Sequence, residues 1–98
     1  MVRQSELDDE TQAFLKVVAS PVRQAIVLLF AHGSELSVNE VAERAEIPQS
    51  TASEQLAVLR HGGVLSARRD GRITLYRADR DGISRALGRL QRFLESCC

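Results

Sequence analysis

Long apolar segments are absent from this sequence. The longest apolar run, Ala25–Ala31, falls far short of the roughly 20 residues that a helix needs to span a bilayer. The start of the chain, Met1–Glu10, has no apolar stretch of the kind found in a signal peptide. We therefore expect no membrane span, no secretion signal and a cytoplasmic location.

Net charge is also absent, because 13 Lys and Arg side chains balance 13 Asp and Glu side chains. This balance argues weakly against a nucleic-acid-binding protein. The distribution argues the other way, since residues 1–46 hold eight acids and four bases, and residues 47–98 hold five acids and nine bases. An electrostatic field is local, so the basic second half favours an anionic partner, with a solvated mixed surface as the alternative.

Repeats, linkers and low-complexity segments are missing, and so are the residue sets of common enzymes. No nucleophile–base–acid set, phosphate-binding loop or metal-ligand cluster is visible in the sequence, so we predict that the protein is not an enzyme. The 98 residues support a single domain, 1–98, whose modest core a partner subunit would help to complete.

What the sequence does have is helical periodicity interrupted by one hairpin signal. The fold class that it predicts is mainly α with a small β-hairpin. The expected helices cover about 8–19, 21–32, Ser37 to a turn at 46–48, 50–60 and 81–97. The expected strands are 64–68 and 73–77, joined through Asp70-Gly71, which is a typical hairpin dipeptide.

Capping signals set several of these boundaries. Ser20 followed by Pro21 is a typical helix start, and Gly33 is a typical helix end. Ser37 with Glu40 three residues later forms a capping box. The second helix is expected to turn four apolar side chains inward: Val22, Ile26, Leu29 and Phe30.

Residues 37–61 read as two short helices joined by a tight turn, which is a helix-turn-helix pattern. At about 100° per residue, Ala52, Leu56 and Leu59 share the inward face of the second helix. Its front is polar and small enough to enter a major groove, where amides and hydroxyls suit phosphates and base edges. The candidate DNA-binding residues here are Gln49, Ser50, Thr51, Ser53, Glu54 and Gln55. The alternative is a capped surface helix in solvent.

Three arginines, Arg68, Arg69 and Arg72, gather around the turn of the hairpin that follows. Such a tip can enter a minor groove or clamp phosphates, although soluble turn residues are the simpler interpretation. In this order the elements predict a winged helix-turn-helix of five helices and a two-stranded wing over 64–77.

Three stretches carry a resemblance to the ArsR/SmtB-type winged-helix repressors, the metal- and arsenic-responsive regulators of bacteria. They are LKVVASPVRQAIVLLF, LSVNEVAERAEIPQSTASEQLAVLRHGGVL and RRDGRITLYRAD. The resemblance implies a homodimer whose interface is formed by helices 8–19 and 81–97, and which reads a palindromic operator in double-stranded DNA. Two positions depart from the family pattern: Glu54, where a donor is usual, and Gln55, where His is frequent. We expect an altered operator sequence, because the Glu54 carboxylate can accept a hydrogen bond from cytosine N4.

The family's zinc-type ligand sets are absent from the matching positions. Ser37-Val38-Asn39 replaces a Cys-Val-Cys, and the last helix has no His. Cys97 and Cys98 remain, and they resemble the C-terminal thiols that bind arsenic in some members. Two thiolates suit a methylated or aryl arsenical or a soft metal, while exposed thiols also favour a redox response. An inert tail is the third interpretation.

The function that we predict is a homodimeric, sequence-specific DNA-binding repressor released by an effector, with a trivalent arsenical or soft metal at Cys97 and Cys98 as the candidate effector. No cofactor is required. The alternatives are a thiol redox-responsive repressor of the same fold and a winged-helix protein-interaction module that does not bind DNA.

Overall fold

The computed structural model describes residues 7–98. They form five α-helices and a three-stranded antiparallel sheet, which confirms the predicted fold class and adds one strand to it. The helices are α1 (Asp9–Val18), α2 (Pro21–Leu28), α3 (Val38–Ala45), α4 (Gln49–His61) and α5 (Arg80–Cys97). The strands are β1 (Leu36–Ser37), β2 (Leu65–Asp70) and β3 (Ile73–Ala78), in the order β1-β3-β2.

The second helix is shorter than predicted. Ser20 caps it as expected, since its hydroxyl accepts from the backbone N–H of Arg23 at 3.3 Å. The helix ends at Leu28 because the chain then tightens into a 3₁₀ turn at Ala31–Gly33, with His32 at a left-handed φ of 64°. Apolar residues continue through this tightened segment, so periodicity alone could not show where the helix stops.

The helix-turn-helix begins as the sequence predicts. The Ser37 hydroxyl accepts from the Glu40 amide at 3.2 Å, and the Glu40 carboxylate accepts from the Ser37 amide at 2.9 Å, which confirms the capping box. Helix α3 ends at Ala45, and the next residue, Glu46, has a left-handed φ of 55° that turns the chain towards α4. A non-glycine residue in this conformation costs on the order of 1 kcal/mol, and the surrounding packing must supply it.

The wing is a β-hairpin whose two strands are joined by a two-residue loop. Asp70 pairs with Ile73, so both strands are longer than predicted and only Gly71 and Arg72 remain in the loop. Gly71 has a φ of 65°, which suits the first position of a tight hairpin turn. The expected two-stranded sheet was incomplete, because β1 pairs with β3 through Leu36 opposite Tyr76. This pairing joins the wing to the start of α3.

The core lies beneath the helix-turn-helix, where Val41, Leu56 and Leu59 are fully buried together with Ile26 and Phe30. Removing such a side chain from water contributes about 1.5–3 kcal/mol, so these residues fix α4 to the body of the domain. The prediction that Val22 turns inward is wrong, because it is 52% exposed.

Helix α5 is buried only over its first half. Ala86 packs into the core, and the Arg89 guanidinium donates to the buried Thr11 hydroxyl of α1 at 3.1 Å. Leu87 and Leu94 are each 51% exposed, so a strip of apolar surface is left on the outer side of the helix. Across residues 7–98, no helix combines the length and apolarity needed to cross a membrane.

Candidate nucleic-acid interface

The front of α4 is exposed, as its polar sequence predicts. Ser50, Ser53 and Glu54 lie in solvent with Gln49 at the tip, and Thr51 is half-buried at the flank. Pro48 precedes the helix and provides no side-chain cap for its first amides. Uncapped N–H groups at a helix start carry a partial positive charge and suit a phosphate oxygen.

Gln55 is held differently from the other candidate residues. Its carboxamide oxygen accepts from the Arg23 guanidinium of α2 at 3.2 Å, and the same guanidinium donates to the backbone oxygens of Val17 at 2.8 Å and Lys16 at 3.1 Å. Since arginine has only donors, it fixes which end of the amide faces inward. Gln55 therefore has its NH₂ group free of this contact and able to donate to a partner on the surface.

The wing arginines divide into two groups because successive strand residues face opposite sides of a sheet. Arg69 pairs with Thr74 and is exposed, and Arg72 is exposed in the turn. Arg68 points the other way and forms a two-pronged ion pair with Glu35, with Nε–Oε2 at 2.8 Å and Nη2–Oε1 at 2.9 Å. Its guanidinium is thus engaged within the protein.

The Arg68–Glu35 pair is a structural link that the sequence did not reveal, since the two residues are 33 positions apart. The hydrogen bond from Arg68 holds the pKa of the Glu35 carboxyl below its ordinary value. Glu35 directly precedes β1, so the pair fastens the wing to the segment that begins the helix-turn-helix. Arg68 therefore positions the wing while remaining exposed, and Arg69 and Arg72 are the two exposed arginines at the wing turn that make no ion pair within residues 7–98.

One cleft joins the two candidate surfaces. A cavity of about 330 Å³ separates the starts of α3 and α4 from the wing. Gln49 and Ser53 line one side of it, Arg72 and Thr74 the other, and Asn39 lies at the α3 end. Neutral donors and an arginine thus face a common space. Asn39 and Thr74 also line this cleft, and the sequence did not predict them because no local pattern distinguishes them.

Glu54 is the one acidic side chain on the exposed front of α4. Within residues 7–98 no ion pair involves Glu54, so none of those residues competes for its carboxylate as an acceptor. A carboxylate repels phosphate and can accept from a base amine, so its position fits base reading rather than backbone binding.

The two cysteines lie far from this surface, at the exposed end of α5. Their sulfur atoms contact each other, and the Cys97 thiol lies 3.5 Å from the backbone oxygen of Leu94. Within the described part of the chain, no group of three His, Cys, Asp or Glu side chains is placed to hold a metal ion. His61 is the last residue of α4.

Comparison with known proteins agrees with this architecture. A family model described as a helix-turn-helix domain matches residues 18–66. The chain is 38% identical over 72 residues to the HTH-type transcriptional repressor SmtB of Mycobacterium tuberculosis, covering 74% of this chain and 53% of that protein. It is 33% identical to a crystal structure described as a possible transcriptional regulator for arsenical resistance, with 83% of each chain covered and a TM-score of 0.70.

The chain belongs to the ArsR/SmtB family of winged helix-turn-helix transcriptional repressors. The relatives named above are described as a transcriptional repressor and a possible transcriptional regulator, which agrees with the prediction that the chain is not an enzyme.

A further member of the comparison is the homodimeric winged helix-turn-helix domain Mb0332 of Mycobacterium bovis, described as a possible ArsR-family regulator. It is 28% identical, covers 91% of this chain and 82% of its own, and has a TM-score of 0.71. The chain spans between about half and two thirds of the length of the first curated ArsR/SmtB relatives that it matches.

Proposed function

We propose that this ArsR/SmtB chain is a homodimeric repressor that binds a palindromic operator in double-stranded DNA and leaves it when an effector binds. The observation that carries the proposal is the shared cleft, in which the front of α4 and the wing turn present neutral donors and one cation, Arg72, to one space. In this arrangement α4 lies in a major groove, and Arg69 and Arg72 reach the backbone or the adjacent minor groove.

The residues of the interface have separate roles in this proposal. The free amides of α4, with Ser50, Thr51 and Ser53, bind phosphates or base edges, and Gln49 reaches bases from the tip. Gln55 presents its NH₂ group as a donor to base acceptors such as guanine O6 and N7, while its oxygen already accepts from Arg23. Glu54 accepts from cytosine N4.

Dimerisation is proposed from the exposed strip on α5. Leu87 and Leu94 leave apolar surface uncovered, and α1 packs beside α5. A second copy that covers this strip places two α4 helices on one side of the dimer. The half-sites of the operator should then lie about 34–36 Å apart, which is one turn of DNA.

The experiment that tests DNA binding is a fluorescence-anisotropy titration with the DNA upstream of the protein's own gene and with a scrambled duplex of equal length. We expect tighter binding to the upstream DNA, by at least a thousandfold for an isolated operator, with affinity that falls steeply as salt rises. Equal binding to both duplexes would favour non-specific attraction. Failure to bind either would favour the protein-interaction module.

For the effector we propose a trivalent arsenical or soft metal at Cys97 and Cys98. Both cysteine side chains are exposed and adjacent with their sulfur atoms in contact, and the described residues supply no third ligand beside them, so the site requires the pair in its reduced, dithiol form. A two-thiol site suits a monosubstituted arsenical such as phenylarsine oxide better than arsenite, which prefers three sulfurs.

The effector proposal predicts the behaviour of a double variant, Cys97→Ser with Cys98→Ser. It should keep the operator affinity of the wild type within about twofold, because the thiols lie far from α4 and the wing, and phenylarsine oxide should no longer release it. The same titration with and without the arsenical measures both quantities, and Ser96→Ala is the matched control. Release that persists in the double variant would exclude the thiols as the sensor. Release of the wild type by peroxide but not by the arsenical would favour redox sensing.

A further inference from the structure

A recess of about 240 Å³ lies where α1, α2 and α5 meet the end of α4. Its lining is almost entirely apolar, with a buried floor and half-buried sides. The floor and sides include Phe14, Val17, Leu59, Val64, Val27 and Ile83. The volume is larger than the apolar cavity of about 150 Å³ that admits benzene in an engineered protein.

The polar side chains at the mouth of the recess are already engaged. Arg23 donates to the backbone oxygens of Val17 and Lys16, and the Gln24 amide donates to the oxygen of Val18 at 2.7 Å. These bonds satisfy carbonyls that the end of α1 would otherwise leave open. A molecule entering the recess would therefore meet methyl and ring surfaces, and a charged or strongly polar ligand would lose its hydration without compensation.

The recess is separate from the surface that we assign to dimerisation. The half-exposed side chains Leu87 and Leu94 do not line it, whereas Ile83, nearer the start of α5, does. Covering Leu87 and Leu94 with a second subunit therefore does not by itself require the recess to be filled.

Two contacts connect the walls of the recess to the DNA-reading helix. Val17 lies so close to Gly62, which ends α4, that a Cβ at position 62 would be 2.5 Å from Val17 Cγ2. Arg23 holds Gln55 of α4 through its carboxamide oxygen. Because Val17 packs closely on Gly62, a ligand that pushes Val17 towards Gly62 displaces the end of α4, and a ligand that moves the Arg23 guanidinium breaks its hydrogen bond to Gln55.

We propose that this recess binds a small uncharged apolar molecule, of about the size of one aromatic ring, and that binding weakens the hold of the protein on its operator. The regulatory half of this proposal rests on the proposed DNA-binding function, and the binding half does not. The coupling follows from linkage: a ligand that fits the recess better when α4 is displaced lowers DNA affinity by the same factor by which DNA lowers ligand affinity.

The test uses toluene as the probe and the full chain labelled at its methyl groups. Toluene should give intermolecular NOEs to methyls of Leu59, Val64 and Ile83 in the absence of DNA, and at saturation it should weaken operator binding about tenfold. Val27→Phe fills the recess and should abolish both effects while the ligand-free operator affinity stays within about threefold. Val22→Phe is the matched control, because Val22 is on the same helix, is exposed and does not line the recess.

The outcomes separate the two halves. NOEs to these methyls without any operator binding would uphold the recess and contradict the proposed function. Operator binding without NOEs at millimolar toluene would overturn the recess proposal and leave the proposed function intact. If the NOEs appear only after dilution to the monomer, the recess proposal is also overturned, because in the dimer the partner chain would then occupy the recess. The NOE measurement needs only the wild type, so it stands even if Val27→Phe fails to fold.

Discussion

Replacing Leu87 and Leu94 with aspartate is expected to turn the dimer into a monomer and to weaken operator binding by about 100- to 10,000-fold, which is the gain that a second linked binding site provides. Both side chains are half-exposed in the protomer, so two carboxylates there are tolerated by the monomer fold. In a dimer the same carboxylates would be buried in an apolar interface without partners, which is strongly unfavourable. Analytical ultracentrifugation and operator anisotropy on the same samples measure the two effects.

The matched control for this pair is Ser96→Asp, which adds a carboxylate on the opposite side of the same helix, where Ser96 is exposed. It should leave both the dimer and the operator affinity unchanged. A double aspartate variant that remains a dimer would move the interface away from this strip. A double aspartate variant that becomes a monomer and still binds the operator with full affinity would contradict the proposal that two α4 helices, one from each subunit, bind the two half-sites of a palindrome.

The second large effect is expected at the wing. Changing Arg69 and Arg72 to alanine removes two exposed cations from each protomer, and four from the dimer. If each contacts a phosphate, operator affinity should fall at least tenfold at low salt, and the slope of log affinity against log salt should decrease in magnitude by about 3 to 4. Neither side chain is fixed by an ion pair in the structure's description of residues 7–98, so the fold should be unaffected.

Arg80→Ala with Arg85→Ala makes the same change in charge on α5, away from the cleft, and serves as the control for the wing variant. It should keep the wild-type slope, because these residues face no DNA in the proposed assembly. If the control lowers the slope as much as the wing variant does, the effect is one of net charge, and the wing is not a DNA contact.

Elements whose causes are local could be predicted from the sequence. The capping box at Ser37 and Glu40 and the turn at Gly71 each depend on residues within a few positions, and both lie where the pattern placed them. The inward face of α4 also follows from its 3.6-residue period, since Ala52, Leu56 and Leu59 are all fully buried.

Contacts between distant residues could not be predicted in this way. Strand β1 is two residues long and exists only because β3 lies beside it, and no local pattern announces such a strand. The ion pair that engages the Arg68 guanidinium joins it to Glu35, and the bond that orients Gln55 comes from Arg23. Each was invisible until the fold brought the partners together.

Periodicity also cannot tell a core from an interface. The apolar positions of α5 have one helical spacing, yet Ala86 is buried and Leu94 is half-exposed. Val22 shows the same limitation on α2, where an apolar residue in the expected phase lies in solvent.

The central claim is that the exposed polar front of α4 reads the operator. The most direct measurement compares the wild type with a variant carrying alanine at Ser50, Ser53 and Glu54, on the operator and on a scrambled duplex. All three side chains are exposed, so the fold should persist. We predict that the variant binds the operator no more tightly than the scrambled duplex, with non-specific affinity retained. A variant that keeps the preference of the wild type for the operator would contradict the claim.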